Sequence, residues 1–368
     1  MSLWVVVGGQ YGSEGKGKIS AFITLQEEID ICIRCGGPNS GHSFVAQDGS
    51  TKVLRQLPTG YIRPQTRLLI PAGALIDLQV LRNELEAFGL DARRVGIDYN
   101  TMVIEESDRE SEAKLKLRER LSSTLCGVGS AVARRALRGA DVRLARDAAK
   151  QEPWLEELLT DVSGEANEAL DRGRKILLEG TQGFGLSLYH SPHYPHATSR
   201  DTSASGFLSE AGISPRKVME IVVVFRTFPI RVSGEQAGPM QNEITWEMLQ
   251  SESRYPYPID EFTTVTKKRR RVARFDWLLA KQAVTVNRPT QIAINGMDYL
   301  NCANRSVRSV RDLSTEAQAF ISDVEDRLRA PVTLLGTNPI LSDLLVRSSE
   351  GRNQALGIGT DPAIIVSR

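Results

Sequence analysis

Cysteine, histidine, aromatic residues and net charge are all scarce in this chain of 368 residues, and each scarcity excludes something. The four cysteines are Cys32, Cys35, Cys126 and Cys302, too few for a disulfide scaffold. Cys32 and Cys35 form a CxxC, but the segment around them reads as a strand, on which residues i and i+3 point to opposite faces. No second pair stands at zinc spacing, so structural thiols are expected. The 46 basic and 45 acidic residues leave a net charge of +1, so no global field gathers nucleic acid or an anionic membrane. Aromatic residues are only 6%, and no stacking platform accompanies the basic run at Lys267–Arg271, which argues against a nucleic-acid partner. No run approaches the roughly 18 apolar residues of a membrane span. The start of the chain carries neither a basic leader nor a small-residue cleavage signal. A cytoplasmic protein without a membrane partner is expected.

What is present is an ordinary apolar fraction of 41% and a charged fraction of 25%, enough for a large core and a deep cleft. Strand-like runs at Leu3–Val7, Asp30–Arg34, Arg67–Ile70, Lys175–Leu178, Val218–Phe225, Gln291–Ile294 and Val332–Leu335 alternate with helical patterns. The helices are expected at Leu78–Phe88, Glu106–Leu121, Phe275–Val286 and Thr315–Leu328. The pattern predicts an α/β fold: a P-loop-like, mixed but mainly parallel central sheet, helices on both faces, and inserted active-site loops. Those loops are expected at Ser187–Ser205 and Ser233–Thr266. Residues 1–347 read as one domain and residues 348–368 as a tail.

The most informative stretch is GGQYGSEGKGK, residues 8–18, in which a buried strand runs into glycines and then into lysines that open a helix. Such a loop aims backbone N–H groups and a helix N-terminus at phosphate oxygens. Gly12 to Lys18 fits P-loop spacing, but Ile19 stands where a magnesium-binding Ser or Thr is expected. After the second strand comes GGPNSGH, residues 36–42, presenting Asn39 and His42 where open sheets bind ligands. A lone histidine is more often structural, and the basic run alone would read as a solvated face.

Together these two segments resemble the N-terminal signatures of the adenylosuccinate synthetase family. Further matches follow in order. Ser123 and Thr124, then Gly127 to Gly129 and Ala133 to Arg135, resemble the family's TTGRGIGPA…ARR segment. Residues 179–183 (EGTQG) are similar to EGAQG, His190 to Ser199 to HGTYPYVTS, and Thr264 to Arg271 to TTGRRRR. The resemblance implies a ligase that phosphorylates the 6-oxygen of a purine nucleotide and displaces the phosphate with the amine of aspartate, using Mg2+. It implies catalytic roles for residue 13, Lys16, His42 and Gln182. It places the donor nucleotide on Gly12, Ser13, Glu14, Gly15, Lys16, Gly17, Lys18, Arg270, Gly296, Asp298, Gly336 and Asn338. The purine monophosphate would lie on Ser13, Asn39, Ser40, Ser123, Thr124, Gln182, Thr198, Val232 and Lys268. Arg134 would reach it from a second subunit of a homodimer. Aspartate would meet Thr264, Val265, Thr266, Lys268 and Arg270, and Mg2+ would meet Ser13 and the Gly41 carbonyl.

The departures matter as much. The family's catalytic base is an aspartate in GDEGKGK, and Ser13 occupies that position. A hydroxyl is no ordinary base near neutral pH, and losing a general base costs about 10²–10⁴ in rate. A smaller, neutral residue beside the purine N1–C2 edge makes room for a 2-amino group. The serine is similar to that of the phage-encoded branch, the 2-aminoadenylosuccinate synthases, which join aspartate to dGMP for 2-aminoadenine DNA. Lys268 stands where the family has an arginine that touches the ribose 2′-hydroxyl. The family's guanine-reading TKLD becomes Asn295, Gly296, Met297 and Asp298, and its STGPD becomes Gly336 to Ile340. The expected substrates are therefore dGMP, L-aspartate and ATP or dATP, in a host cytoplasm if the chain is phage-encoded. The alternatives are an ordinary synthetase using IMP and GTP, and an inactive nucleotide-binding paralogue.

Overall fold

Alternation along the first strand sets the architecture. In Leu3–Gly8, Leu3, Val5 and Val7 face one apolar layer while Trp4 and Val6 face another. Both faces are therefore covered, as a parallel sheet requires. The computed structural model describes residues 2–263 and 268–347. It shows a ten-stranded sheet in the order Leu344–Val346, Val332–Gly336, Gln291–Asn295, Val218–Arg226, Leu3–Gly8, Ile176–Glu179, Ile31–Arg34, Arg67–Ile70, Val95–Asp98 and Leu159–Thr160. Every pairing is parallel except that of Leu344–Val346 with Val332–Gly336. The expected fold class holds.

One face packs on helices Val162–Asp171, Ala204–Ala211, Trp277–Asn287 and Thr315–Leu328, the other on Lys16–Gln26 and Leu78–Phe88. The helix Leu78–Phe88 begins at Asp77, whose carboxylate accepts from the Val80 N–H at 3.0 Å, and ends on the left-handed Gly89. Because the central strand Leu3–Gly8 lies between strands that come much later in the chain, the connections diverge around it. The carboxyl ends of the strands then open a crevice, where ligands of such sheets bind.

Two expectations need correction. The helix expected over Glu106–Leu121 is two helices, Glu106–Lys114 and Leu117–Leu121, because Lys116 takes a left-handed backbone at φ 52° and breaks the hydrogen-bond ladder. The stretch Ser233–Thr266 is not one irregular loop: it holds the strand Glu243–Ile244 and the helix Trp246–Ser253, N-capped by Thr245. Thr264–Lys267 and residues 348–368 lie outside the described residues.

The glycine-rich loop after Leu3–Gly8 rests on a ring. A Cβ on Gly9 would lie 2.2 Å from Phe225, which is fully buried and packs edge-on against Phe275 at 5.7 Å. Phe225→Ala is expected to lower the unfolding free energy by about 3–5 kcal/mol in urea titrations. A loss below about 1 kcal/mol would show that the loop does not depend on this support.

Candidate active site

The strand Leu3–Gly8 delivers the chain to a loop whose conformation only small or strained residues allow. Gly12, Ser13 and Gly15 all have positive φ, at 85°, 58° and 89°. Gly15 opens the helix Lys16–Gln26 without any side-chain cap, so the first-turn amides remain available to a ligand. Glu14 turns beneath the loop. Its carboxylate accepts from the Gln10 and Gly12 N–H groups at 3.1 and 2.8 Å and pairs with Lys16 Nζ at 2.6 Å. Its carbonyl accepts from Asn295 Nδ2 at 2.7 Å. Glu14 therefore shapes the loop and anchors Lys16, which also donates to the Gln182 carbonyl.

His42 opens the strand His42–Val45, and its ring is buried against Glu179 at the end of Ile176–Glu179. Nδ1 meets Glu179 Oε1, which also takes Arg34 Nη1 at 3.3 Å, while Oε2 accepts from Thr59 N and Oγ1 at 2.9 and 2.8 Å. Burial alone would raise the Glu179 carboxyl, but His42, Arg34 and Thr59 outweigh it and hold the group below the usual range. Burial first, and the Arg34 charge second, push His42 down to about 4 despite its carboxylate partner. The pair is accordingly a neutral imidazole donating Nδ1–H to a carboxylate. That leaves Nε2, buried and without a partner among the described residues, as an acceptor at the cavity wall.

These groups line a cavity of about 1350 Å³, larger than one ligand needs. On its walls lie the expected Gly12 to Lys18, Asn39, Ser40, Gly41, His42, Ser123, Thr124, Gln182, Thr198, Val232, Lys268, Arg270, Gly296, Asp298 and Asn338. Two expected residues are absent from the wall. Gly336 packs behind it, where a Cβ would lie 2.0 Å from Asn295 Oδ1. Arg134 has all three guanidinium nitrogens engaged within its own chain, on both Asp108 oxygens at 3.0 and 2.7 Å and on the Asp141 carbonyl at 2.6 Å. Thr264, Val265 and Thr266 fall outside the described residues.

Among the described residues, five carboxylates line the cavity, and all five are engaged by protein groups. Glu14 holds Lys16, and Glu112 accepts from the Gly127 and Gly129 N–H groups at 2.9 and 2.8 Å. Asp260 binds Arg269, Glu261 binds Arg226 and Tyr299, and Asp298 accepts from Tyr255. Ser13 is exposed to the cavity, its carbonyl takes Arg226 Nη1 at 3.2 Å, and its hydroxyl has no partner among the described residues. Arg270 sits half-buried; among the described residues only its Nε is bonded, to the Phe262 carbonyl at 3.4 Å. Its terminal nitrogens suit a carboxylate or a phosphate. The sequence reading missed Arg226 and Tyr255. Arg226 lies one residue beyond the expected strand Val218–Phe225, at the sheet edge where sites form, and that position was a usable signal.

A family model described as adenylosuccinate synthetase matches residues 5–146 and 141–305. The chain is 41% identical over 352 residues to the adenylosuccinate synthetase of Thermococcus onnurineus, covering 94% of this chain and 99% of that protein. It is also 41% identical over 340 residues to that of Methanocaldococcus jannaschii, covering 91% and 94%. Among solved structures, the fully ligated adenylosuccinate synthetase of Plasmodium falciparum superposes with a TM-score of 0.82 at 20% identity, covering 95% of this chain and 100% of that one. The cyanophage S-2L succinoaminodeoxyadenylate synthetase, bound to dGMP and to dATP as an energy donor, gives 0.80 at 27% identity, covering 96% and 98%.

The His42 geometry has a consequence for stability. Its folded pKa lies below the ordinary 6.5, so its contribution is fully present above pH 6.5 and is lost as pH falls toward 4. Urea unfolding should show wild-type stability dropping across that window, with a shallower drop in His42→Asn. Equal slopes in the two proteins would remove this account of the pair.

Proposed function

This chain belongs to the adenylosuccinate synthetase family, ligases that join aspartate to a purine nucleotide, and we propose that its acceptor is dGMP and its donor ATP or dATP. The observation that carries the reading is the cavity around Ser13. The residue is a small neutral hydroxyl facing open space, and none of the five lining carboxylates is free to replace the aspartate of the family motif. Such a wall has room for the 2-amino group of guanine, and the Ser13 oxygen can accept from it. The solved cyanophage enzyme bound to dGMP and dATP supports the same assignment.

In the first step the donor γ-phosphoryl passes to the purine 6-oxygen. The new O6–P bond forms as the bond to the β-phosphate oxygen breaks, and N1 gives up its proton. In the second, the aspartate amine attacks C6, the C6–O bond breaks, phosphate leaves and the amine loses a proton. The protein's part is position and charge. The helix N-terminus at Lys16 and the Lys16 and Lys18 ammonium groups hold phosphates. His42 Nε2 faces the transferred phosphoryl, and the approaching dianion favours its protonated form. Gln182 and Thr124 hold the acceptor, and the Arg270 fork takes an aspartate carboxylate. Arg134 of a second subunit would need to leave Asp108 to reach the acceptor phosphate.

The family uses Mg2+. The cavity offers it neutral oxygens at Ser13 and Gly41, with all five carboxylates engaged. That set fits a cation held mainly by nucleotide phosphates, where it would neutralise charge on the transferring group.

A second reading, an ordinary synthetase using IMP and GTP, is favoured by the curated relatives at about 40% identity. Initial rates with dGMP, GMP and IMP, each with ATP and GTP, separate the two. The expected result is at least about tenfold higher kcat/KM for dGMP than for IMP, roughly 1.4 kcal/mol, and a loss of that preference in Ser13→Asp. A preference for IMP would establish the second reading. An unchanged dGMP rate in Ser13→Asp would show that residue 13 does not select the acceptor.

A further inference from the structure

The cavity continues beyond the phosphate loop to an end that the acceptor does not need. Two contacts tie that end to the loop: Asn295 Nδ2 donates to the Glu14 carbonyl at 2.7 Å, and Lys18 Nζ donates to the Asn338 carbonyl at 2.7 Å. With Gly296, Asp298 and Asn338 taken as donor residues, a nucleotide whose phosphates sit at the start of Lys16–Gln26 would set its base beside them, with Arg305, Tyr255 and Tyr257 on the same wall.

Among the described residues, the polar groups there are committed apart from the Tyr257 hydroxyl and the remaining Arg305 guanidinium nitrogens. Asn338 spends its amide on the Arg305 carbonyl and Asp343 Oδ2, at 3.1 and 2.8 Å, and its oxygen on the Ile340 N–H at 2.8 Å. The Gly296 carbonyl accepts from Thr227 Oγ1. The Tyr255 hydroxyl donates to Asp298 Oδ2 and accepts from Arg305 Nη1 at 3.4 Å. Tyr255 cannot easily withdraw. Its backbone follows the left-handed cap Arg254, its N–H donates to the Gln250 carbonyl at 3.1 Å, and its ring packs edge-on against Tyr257 and Tyr299 at 5.4 and 6.2 Å.

Base chemistry then discriminates. The N1–H and 2-amino edge of guanine presents two adjacent donors and needs a carboxylate with both oxygens free. Asp298 has an oxygen covered by the Tyr255 phenol, with Arg305 beside it. Adenine carries no donor at N1. It offers acceptor nitrogens to a hydroxyl or a guanidinium, and a π-face to the tyrosines.

We propose that Tyr255 is the specificity-determining residue of the donor site: by occupying Asp298 it denies a guanine edge its acceptor and leaves the site to an adenine nucleotide. This rests on the ligase reading above, with the donor's base at this end of the cavity.

The test is a set of kcat/KM values for ATP and GTP at saturating acceptor and aspartate, in wild type, Tyr255→Phe and Asp298→Asn. Wild type should prefer ATP by at least about tenfold. Tyr255→Phe keeps the ring, frees the carboxylate and should move the ATP:GTP ratio toward GTP by about tenfold. In Asp298→Asn the phenol keeps an oxygen but a guanine edge would meet an amide, so the ATP:GTP ratio should stay on the ATP side. A wild type that prefers ATP with an unmoved ratio in Tyr255→Phe overturns the Tyr255 assignment and leaves the adenine donor standing. A wild type that prefers GTP overturns the donor reading itself. If Tyr255→Phe fails to fold, an ATP:GTP ratio that falls by more than about tenfold in a folded Asp298→Asn overturns the proposal, because Asp298 would then read the adenine directly.

Discussion

The site is organised by one fully buried carboxylate. Glu179 ends a central strand and gathers His42, Arg34 and Thr59 from three separate segments of chain. An ionised carboxylate in such surroundings is tolerated only when its lone pairs are met, and here the bonding groups meet both oxygens. Removing one partner of a buried ion pair costs about 3–5 kcal/mol, because the other charge is stranded. The network therefore acts as a positional constraint more than as net stabilisation. It fixes the His42 ring so that Nε2 faces the cavity, and it draws the loop after Ile31–Arg34 and the turn at Thr59–Ile62 against the sheet edge.

Glu14 does the same at the phosphate loop with different chemistry. Its carboxylate receives two backbone N–H groups and the Lys16 ammonium, so the loop is held from beneath. The two carboxylates sit under the site, and neither needs to touch a substrate. Adjacent loop positions are left to vary without disturbing the scaffold, and residue 13 is one of them. About 40% identity to adenylosuccinate synthetases is thus compatible with the proposed dGMP acceptor. Fold and phosphate handling are specified by many buried contacts, whereas the choice of base is specified by one or two exposed groups.

Seven of the ten strands of the sheet were legible because they are apolar runs bounded by glycine and polar residues, each within about one residue of the expected ends, whereas Val95–Asp98, Leu159–Thr160 and Leu344–Val346 were not expected. The helix Leu78–Phe88 was legible from its apolar stripe and its cap. The break at Lys116 was not, since a left-handed lysine leaves no mark in composition. The missed site residues share a cause: their roles arise from contacts remote in sequence. Arg226 meets the Ser13 carbonyl across 213 positions and Tyr255 meets Asp298 across 43. Periodicity and local motifs carry no information at that range. Glu179 was quoted only as part of EGTQG, and its bond to His42, 137 positions away, became visible only when the strands were paired.

Charge placement gives the proposed role of residue 13 its physical basis. Both nucleotides and aspartate are anions, and the described wall meets them with Lys16, Lys18, Lys268 and Arg270 while its own carboxylates are spent on protein partners. Burial lowers Lys18 to about 8, and an anion beside it would raise it again. An aspartate at position 13 would be the one lining carboxylate without an obvious partner, a negative charge beside the phosphoryl path that only proton transfer at N1 could justify. Serine removes that charge, lowers repulsion along the path and gives up the built-in base. Such an exchange favours an acceptor whose 2-amino group uses the space and the hydroxyl. Those contacts must be stronger in the transition state than in the ground state if they are to offset the missing base.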